Sequence, residues 1–221
     1  MKPLKKYKAI VFDLDGTLLD TLEDLADAAN WALCQNGMPK RSLDEVRCFV
    51  GNGVRRLMEL AVPEGTDDVV FDKVFSDFKH YYVHHCQDKT HLYPGISELL
   101  YSLKENGFHL AIVSNKLQAG VDELYERYFH DTVEVAIGER LELKRKPSSD
   151  MVHLALKELG ASPKEAIYIG DSEVDLATAH NSDLPCISVL WGFRDRKYLL
   201  EHGATCLAET PDQVFEILTH I

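Results

Sequence analysis

The sequence predicts an α/β protein: a doubly wound, Rossmann-like parallel sheet whose chain is interrupted once by an inserted all-helical domain. Three observations predict it. Four short apolar, β-prone runs each end abruptly in polar residues, helical periodicity fills the spaces around the later runs, and one long helical stretch follows the first.

The first run, Ala9-Ile10-Val11-Phe12, is continuously apolar, as a strand buried on both faces requires, and stops at Asp13-Leu14-Asp15-Gly16-Thr17. The design recurs three times. His109-Leu110-Ala111-Ile112-Val113 meets Ser114-Asn115, Ala166-Ile167-Tyr168-Ile169 meets Gly170-Asp171-Ser172, and Cys186-Ile187-Ser188-Val189-Leu190 meets Trp191-Gly192. Helical patterns cover residues 96–104, 151–159 and 174–180, with Gly107 and Gly160 placed as helix stops. This alternation implies right-handed crossovers, a sheet covered on both faces, and ligand binding at the carboxyl ends of the strands. Residues 19–91 are too long for a crossover and carry helical periodicity without a convincing strand. They are read as a helical domain inserted into a core of residues 1–18 and 92–221, rejoining it near Tyr93-Pro94-Gly95. No repeat of solenoid period is present.

At 221 residues, 45% hydrophobic and 27% charged, the chain has an ordinary globular composition. Its 24 basic and 36 acidic residues give a net charge of −12, which opposes a nucleic-acid partner or an anionic membrane surface. An anionic substrate would need a local positive site, and that points to a metal ion. Cys34, Cys48, Cys86, Cys186 and Cys206 are scattered without a CxxC pair, which fits a reducing cytoplasm. Lys2, Lys5, Lys6 and Lys8 precede an apolar run too short for a signal peptide, and no 18-residue apolar span occurs later. A cytoplasmic protein without a membrane partner is therefore expected. The histidines, including His84-His85, lack metal-ligand spacing and are read as helix-face residues.

Asp13 and Asp15 alternate with Leu14, so both carboxylates can leave one side of the chain, and Gly16 permits a sharp turn. A lone Asp-x-Asp-Gly is more often a capping turn. A calcium loop is excluded by register, because Thr17 and Leu18 stand where a further oxygen ligand and a glycine are needed. Ser114-Asn115 offers a hydroxyl and backbone N–H groups at an expected helix start, suited to a phosphate oxygen. Asp171 and Asp175 are four residues apart and could face one cation from a loop and a first helical turn. Each is otherwise an N-cap or a solvated turn. Lys146, followed by Pro147, is a positive charge on a restrained backbone. No phosphate-binding GxxxxGK[ST] exists, and no cysteine has an arginine six positions later.

Taken in order, each after its own strand, these signals resemble the haloacid dehalogenase superfamily. Its first motif, Asp-x-Asp-x-Thr, is matched at Asp13, Asp15 and Thr17, its second at Ser114, its third at Lys146, and its fourth, Gly-Asp-x-x-x-Asp, at Gly170, Asp171 and Asp175. Residues 19–91 fall where the superfamily places a helical cap. Relatives often carry Lys-Pro-x-Pro; here the run is Lys146-Pro147-Ser148-Ser149, which leaves Lys144 as a rival.

The resemblance implies a Mg2+-dependent phosphatase acting on a small phosphorylated metabolite, as a monomer or homodimer. Asp13 would be the nucleophile, forming an aspartyl phosphate, and Asp15 the acid and base. Magnesium would lie between Asp13, the backbone carbonyl of Asp15 and Asp171, with Asp175 binding it or orienting a water. Ser114, Asn115 and Lys146 would hold phosphoryl oxygens. Asp15 disfavours the superfamily's dehalogenases and phosphonoacetaldehyde hydrolases, and Leu25 stands where beta-phosphoglucomutases place a histidine. Phe49-Val50-Gly51-Asn52-Gly53-Val54 with Leu57-Met58, and Trp191-Gly192-Phe193-Arg194, are similar to segments of phosphoglycolate phosphatases. Pyrophosphatases and nucleotidases look alike in the same regions. A catalytically weak metal-binding regulatory module is the alternative from another class, and intact Asp13 and Asp15 argue against it. Selectivity is expected in the cap, at Asn52 between two glycines and at Arg55 or Arg56 as a fork for a substrate carboxylate; the competing reading makes both arginines solvated residues at a helix start.

Overall fold

The computed structural model describes residues 7–220, so Lys2, Lys5 and Lys6 lie outside the described residues. The first strand, β1 (Ala9–Phe12), is buried at all four positions. Successive strand side chains point to opposite faces, so the sheet is covered on both sides here. After β1 come a two-residue strand β2 (Leu19–Asp20), helices α1 (Leu22–Gln35), α2 (Leu43–Phe49), α3 (Gly53–Ala61) and α4 (Asp68–His85), and a second two-residue strand β3 (His91–Leu92). The chain continues through α5 (Ile96–Glu105), β4 (His109–Leu117), α6 (Gln118–Tyr128), β5 (Val135–Glu139), α7 (Asp150–Glu158), β6 (Ala166–Gly170), α8 (Glu173–Asn181), β7 (Cys186–Val189), α9 (Arg196–Glu201), β8 (Leu207–Ala208) and α10 (Pro211–His220).

Two compact units result: the described residues up to Leu18 with those from Leu92 onward, and Leu19–His91. In the first, six parallel strands lie in the order β5-β4-β1-β6-β7-β8, the doubly wound sheet expected from the apolar runs. The strand order reverses across β1, and Phe12 lies opposite both Ile112 and Ile169. Asp13, Ser114 and Asp171 therefore emerge at one carboxyl edge, at the switch point where such sheets bind ligands. Beneath them Val11, Val113, Ile137 and Tyr168 pack with Met151, Val152 and Ala155 of α7, each large side chain contributing roughly 1.5–3 kcal/mol by burial. Gly107 and Gly160 take φ of 73° and 64° just past α5 and α7, the left-handed stop that a Cβ would strain.

In the second unit α1 packs on α4. Ala28, Ala29, Ala32 and Leu33 are wholly buried on α1. On α4 the rings of Phe71, Phe75, Phe78 and Tyr82 succeed one another at 5.9, 6.3 and 5.3 Å, the i, i+3 and i+4 spacing of a core-facing stripe. Ser42 and Glu45 close a reciprocal capping box that starts α2.

The structure departs from several expectations. Residues 19–91 are not free of strand: β2 and β3 pair at their two ends, and two-residue strands are too short to leave a period. β5 and β8 are additional strands at the two sheet edges, their apolar cores only two or three residues long. Ser114 and Asn115 do not open a helix; they lie within β4, whose register shifts between Val113 and Leu117 before α6 begins at Gln118. Such a bulge re-aims side chains without ending the strand. His91 and His109 lie on strands rather than helix faces. No helix among the described residues is long and apolar enough to cross a membrane.

Candidate active site

Asp13 leaves β1 with its N–H bonded to the carbonyl of Ile169 at 2.8 Å, which seats it between the central strands. The chain then turns at Gly16, φ 93°, where a Cβ would stand 2.4 Å from Asp171 Oδ2 and 2.8 Å from the Phe193 ring. Only glycine lets the first loop close on Asp171. Asp171 comes directly after β6, and Asp175 lies in the first turn of α8. Asp13, Asp171 and Asp175 are buried, and each offers an oxygen within 4.8 Å of the others, the one such group of metal-capable residues among the described residues.

A single ammonium is set among them. Lys146 Nζ lies 2.5 Å from Asp13 Oδ1 and 2.8 Å from Asp175 Oδ1, and donates to the Tyr168 hydroxyl at 3.1 Å. Asn115 holds the lysine's backbone from both sides, accepting from the Lys146 N–H at 2.8 Å and donating to its carbonyl at 3.1 Å. The Asn115 side chain is thus engaged in placing Lys146. Lys144, the rival, is exposed. Asp175 Oδ2 accepts from the Ser172 N–H and hydroxyl at 3.1 and 2.6 Å, while Asp171 Oδ2 accepts the Phe193 N–H at 2.6 Å. Trp191 Nε1 donates to the Thr17 carbonyl at 2.9 Å, tying the 191–194 loop to the first turn.

Burial, with Asp175 and then Asp171 adding like charge against Lys146, holds Asp13 well above the usual carboxylate range. Burial and Asp175 push Asp171 up to about 7. Burial works against the Lys146 charge, yet Asp13 and Asp175 outweigh it and raise its pKa further. Burial likewise keeps the Tyr168 phenol protonated, able to donate to Asp175 Oδ1 at 3.0 Å. Three buried carboxyl groups share one ammonium, and the like charge among them adds to burial in raising Asp13 and Asp171. A hard divalent cation with oxygen preference fits that donor set.

Asp15 stands on the more open side. Ser114 Oγ lies 3.5 Å from its Oδ2 and Lys116 Nζ 3.3 Å from its Oδ1, while the Lys116 N–H donates to Ser114 Oγ at 3.1 Å. Lys116 and Tyr168 stand against the expected site residues, and sequence reasoning missed both. The signal for Lys116 was its place two residues after Ser114 at a strand end; Tyr168 is the polar tip inside an apolar run.

In the helical unit, Asn52 is the N-cap of α3 without a side-chain capping bond, between Gly51 and Gly53 at φ 124° and 77°. Arg55 pairs with Glu59 and Asp72 at 3.4 and 3.7 Å and lies over the Phe71 and Phe75 rings. Arg56 pairs with Glu59 at 3.1 Å. Both arginines thus have acidic partners within their own unit.

A model of the haloacid dehalogenase-like hydrolase family matches residues 10–189. The chain is 30% identical over 224 residues to a phosphoglycolate phosphatase of Nitrosococcus oceani, covering 99% of this chain and 96% of that one. It is 32% identical over 228 residues to a phosphoglycolate phosphatase of Vibrio parahaemolyticus, with 97% and 94% covered. A crystal structure from Lactobacillus delbrueckii subsp. bulgaricus, provisionally described as a phosphoglycolate phosphatase, superposes with a TM-score of 0.92 at 37% identity over 96% of this chain and 98% of that one.

Proposed function

Because this chain belongs to the haloacid dehalogenase-like hydrolases, we propose that it is a magnesium-dependent phosphatase for a small phosphorylated metabolite, with 2-phosphoglycolate the leading candidate. The observation that carries the reading is the placing of Asp13, a buried carboxylate at the end of the central strand, 2.5 Å from a buried ammonium and two residues before Asp15. Its relatives' names supply the substrate.

Asp13 attacks phosphorus through one carboxylate oxygen, and the bond from phosphorus to the alcohol oxygen breaks as an aspartyl phosphate forms. Asp15 gives its proton to the departing oxygen. It then takes a proton from a water that attacks phosphorus, releasing inorganic phosphate and restoring Asp13. Dividing the displacement this way turns one hard step into two easier ones, and the proton transfers account for about 10²–10⁴-fold in rate. The Ser114 hydroxyl, the Asn115 backbone N–H and the Lys146 ammonium hold phosphoryl oxygens, which is the positioning and charge balance that phosphoryl transfer needs. Asp13, the Asp15 carbonyl and Asp171 would hold Mg2+, and Asp175, whose oxygens already serve Lys146 and Ser172, would orient a water; when bound, the ion offsets repulsion between the carboxylates and the phosphate.

In this reading residues 19–91 form a cap on a core of residues 1–18 and 92–221, and Asn52, Arg55 and Arg56 are the cap residues to test for selectivity. The protein works in the cytoplasm as a monomer or homodimer, in keeping with five scattered cysteines that have no CxxC spacing. The test is turnover of phosphorylated metabolites with magnesium by wild type and Asp13→Asn, an amide that keeps the shape and is a poor nucleophile. Wild type should release phosphate, and 2-phosphoglycolate should give the highest kcat/KM; the folded variant should be inactive. Normal turnover by Asp13→Asn refutes the mechanism.

A further inference from the structure

The core holds a second lysine at its reactive edge, and the proposed mechanism leaves it without a task. We propose that Lys116 is a specificity-determining residue that reads an anionic substituent on the departing alcohol. The core would then select phosphate monoesters whose alcohol carries a carboxylate close to the bridging oxygen. This rests on the role given to Asp15 as the acid that protonates that oxygen.

Reach carries the assignment. An acid must stand about 2.6–3.2 Å from the oxygen it protonates, and Lys116 Nζ is 3.3 Å from Asp15 Oδ1. With that carboxylate oxygen as the donor, the ammonium therefore lies within roughly 6.5 Å of the bridging oxygen. A carboxylate one carbon along the alcohol falls inside that radius.

The lysine is also fixed. Its N–H bonds to Ser114 Oγ at 3.1 Å, and the bulge between Val113 and Leu117 turns it off the sheet ladder. Its carbonyl is approached so closely by Gly138 that a Cβ there would stand 2.7 Å away, in backbone that cannot yield. Its side chain is 6% exposed, so its charge acts in a medium where pairing is worth more than on a surface. The competing cations are engaged elsewhere: Lys146 with Asp13 and Asp175, Arg55 and Arg56 with acids of the helical unit. A compact ammonium can pair with a single carboxylate without demanding bidentate geometry.

A lysine that merely orients Asp15 predicts something different, and this decides the experiment. We would measure kcat and KM for 2-phosphoglycolate and for ethyl phosphate, which lacks the carboxylate, in wild type, Lys116→Met and Lys116→Arg with magnesium. In Lys116→Met both substrates should slow, while the ratio of kcat/KM for 2-phosphoglycolate over ethyl phosphate falls at least about tenfold, the value of one hydrogen bond to a charged group. Part of that fall should appear in KM, and Lys116→Arg should recover part of the ratio. Equal losses on both esters would overturn the assignment and leave only an orienting role. A measurement on wild type alone keeps the test open if the variants fail to fold: glycolate should inhibit hydrolysis of ethyl phosphate at least about tenfold more tightly than its neutral amide does. Equal inhibition by the two would also overturn it. Wild type that hydrolyses no phosphate ester would instead refute the phosphatase reading, and wild type with no preference for the carboxylate ester would refute Lys116 alone.

Discussion

Replacing Lys146 with Met removes the ammonium shared by Asp13 and Asp175, at 2.5 and 2.8 Å, while keeping most of the side chain's volume. Charge pairing is therefore lost rather than packing. Breaking a buried pair by deleting one partner costs about 3–5 kcal/mol, because the remaining charge is left uncompensated. Here two carboxylates are orphaned together, and proton uptake by Asp13 can relieve only part of the repulsion. In a protein of this size about 1 kcal/mol moves Tm by roughly 2–4 °C, so a fall of about 6–20 °C in metal-free buffer is expected. Each unit contains one tryptophan, Trp31 in α1 and Trp191 after β7. Fluorescence-detected melting in a Trp31→Phe background would track the core alone. Asp175→Asn should recover part of the loss in the Lys146→Met background while destabilising wild type, giving a coupling energy well above the additive limit of about 0.5 kcal/mol. A Lys146→Met core that melts with wild type in EDTA, or strictly additive variants, would refute the picture of a self-compensating charge cluster.

The same geometry governs the metal, the pH dependence and the 191–194 loop. EDTA should abolish activity and magnesium restore it, with calcium a poor substitute because its looser oxygen shell tolerates the wrong geometry for in-line attack; Asp171→Ala should raise the magnesium requirement more than Asp175→Ala, and the opposite order in a titration would reverse their roles. Since Asp171 is pushed up to about 7 from about 3.9 in an open chain, the stability it contributes is complete below about pH 4 and lost as pH rises through 7. Denaturant midpoints of the metal-free protein should therefore fall between about pH 4 and 7 and level off above, less so in Asp171→Asn, and an unchanged slope in that variant would refute the assignment. A Cβ on Gly192 would stand 2.3 Å from the Gly16 carbonyl and 2.4 Å from Asp171 Cβ, so Gly192→Ala should lose about 1–3 kcal/mol and bind magnesium more weakly by calorimetry; wild-type values for both would show that the loop does not place Asp171.

The sequence made the sheet legible because its central strands are continuous apolar runs ended by acids, and a strand buried on both faces has no other way to read. β5 and β8 escaped because edge strands need few apolar residues, and β2 and β3 because two residues have no period. In the candidate site the carboxylates and Lys146 could be placed from type and spacing. Lys116 could not, because a bulge inside β4, invisible in composition, carries it to Asp15. Arg55 and Arg56 were legible as cations but not as partners of Glu59, since i, i+3 and i, i+4 pairing becomes decisive only once α3 is known to run through them.

Asp175 shows why a capping residue and a site residue need not be rival readings. Its Oδ2 closes a reciprocal box with Ser172 at the start of α8, and its Oδ1 accepts from Lys146 and Tyr168. The box fixes the carboxylate as soon as the helix forms, so the lysine is drawn to a position set by backbone rather than by a free rotamer. Lys146 is meanwhile held from its backbone by Asn115, which stands on the far side of β1 in the bulged part of β4. The nucleophile candidate between them is thus framed by two anchors, one at the start of α8 and one in β4. Each can be disturbed without touching Asp13, and loss of either should loosen its geometry before it loosens the fold.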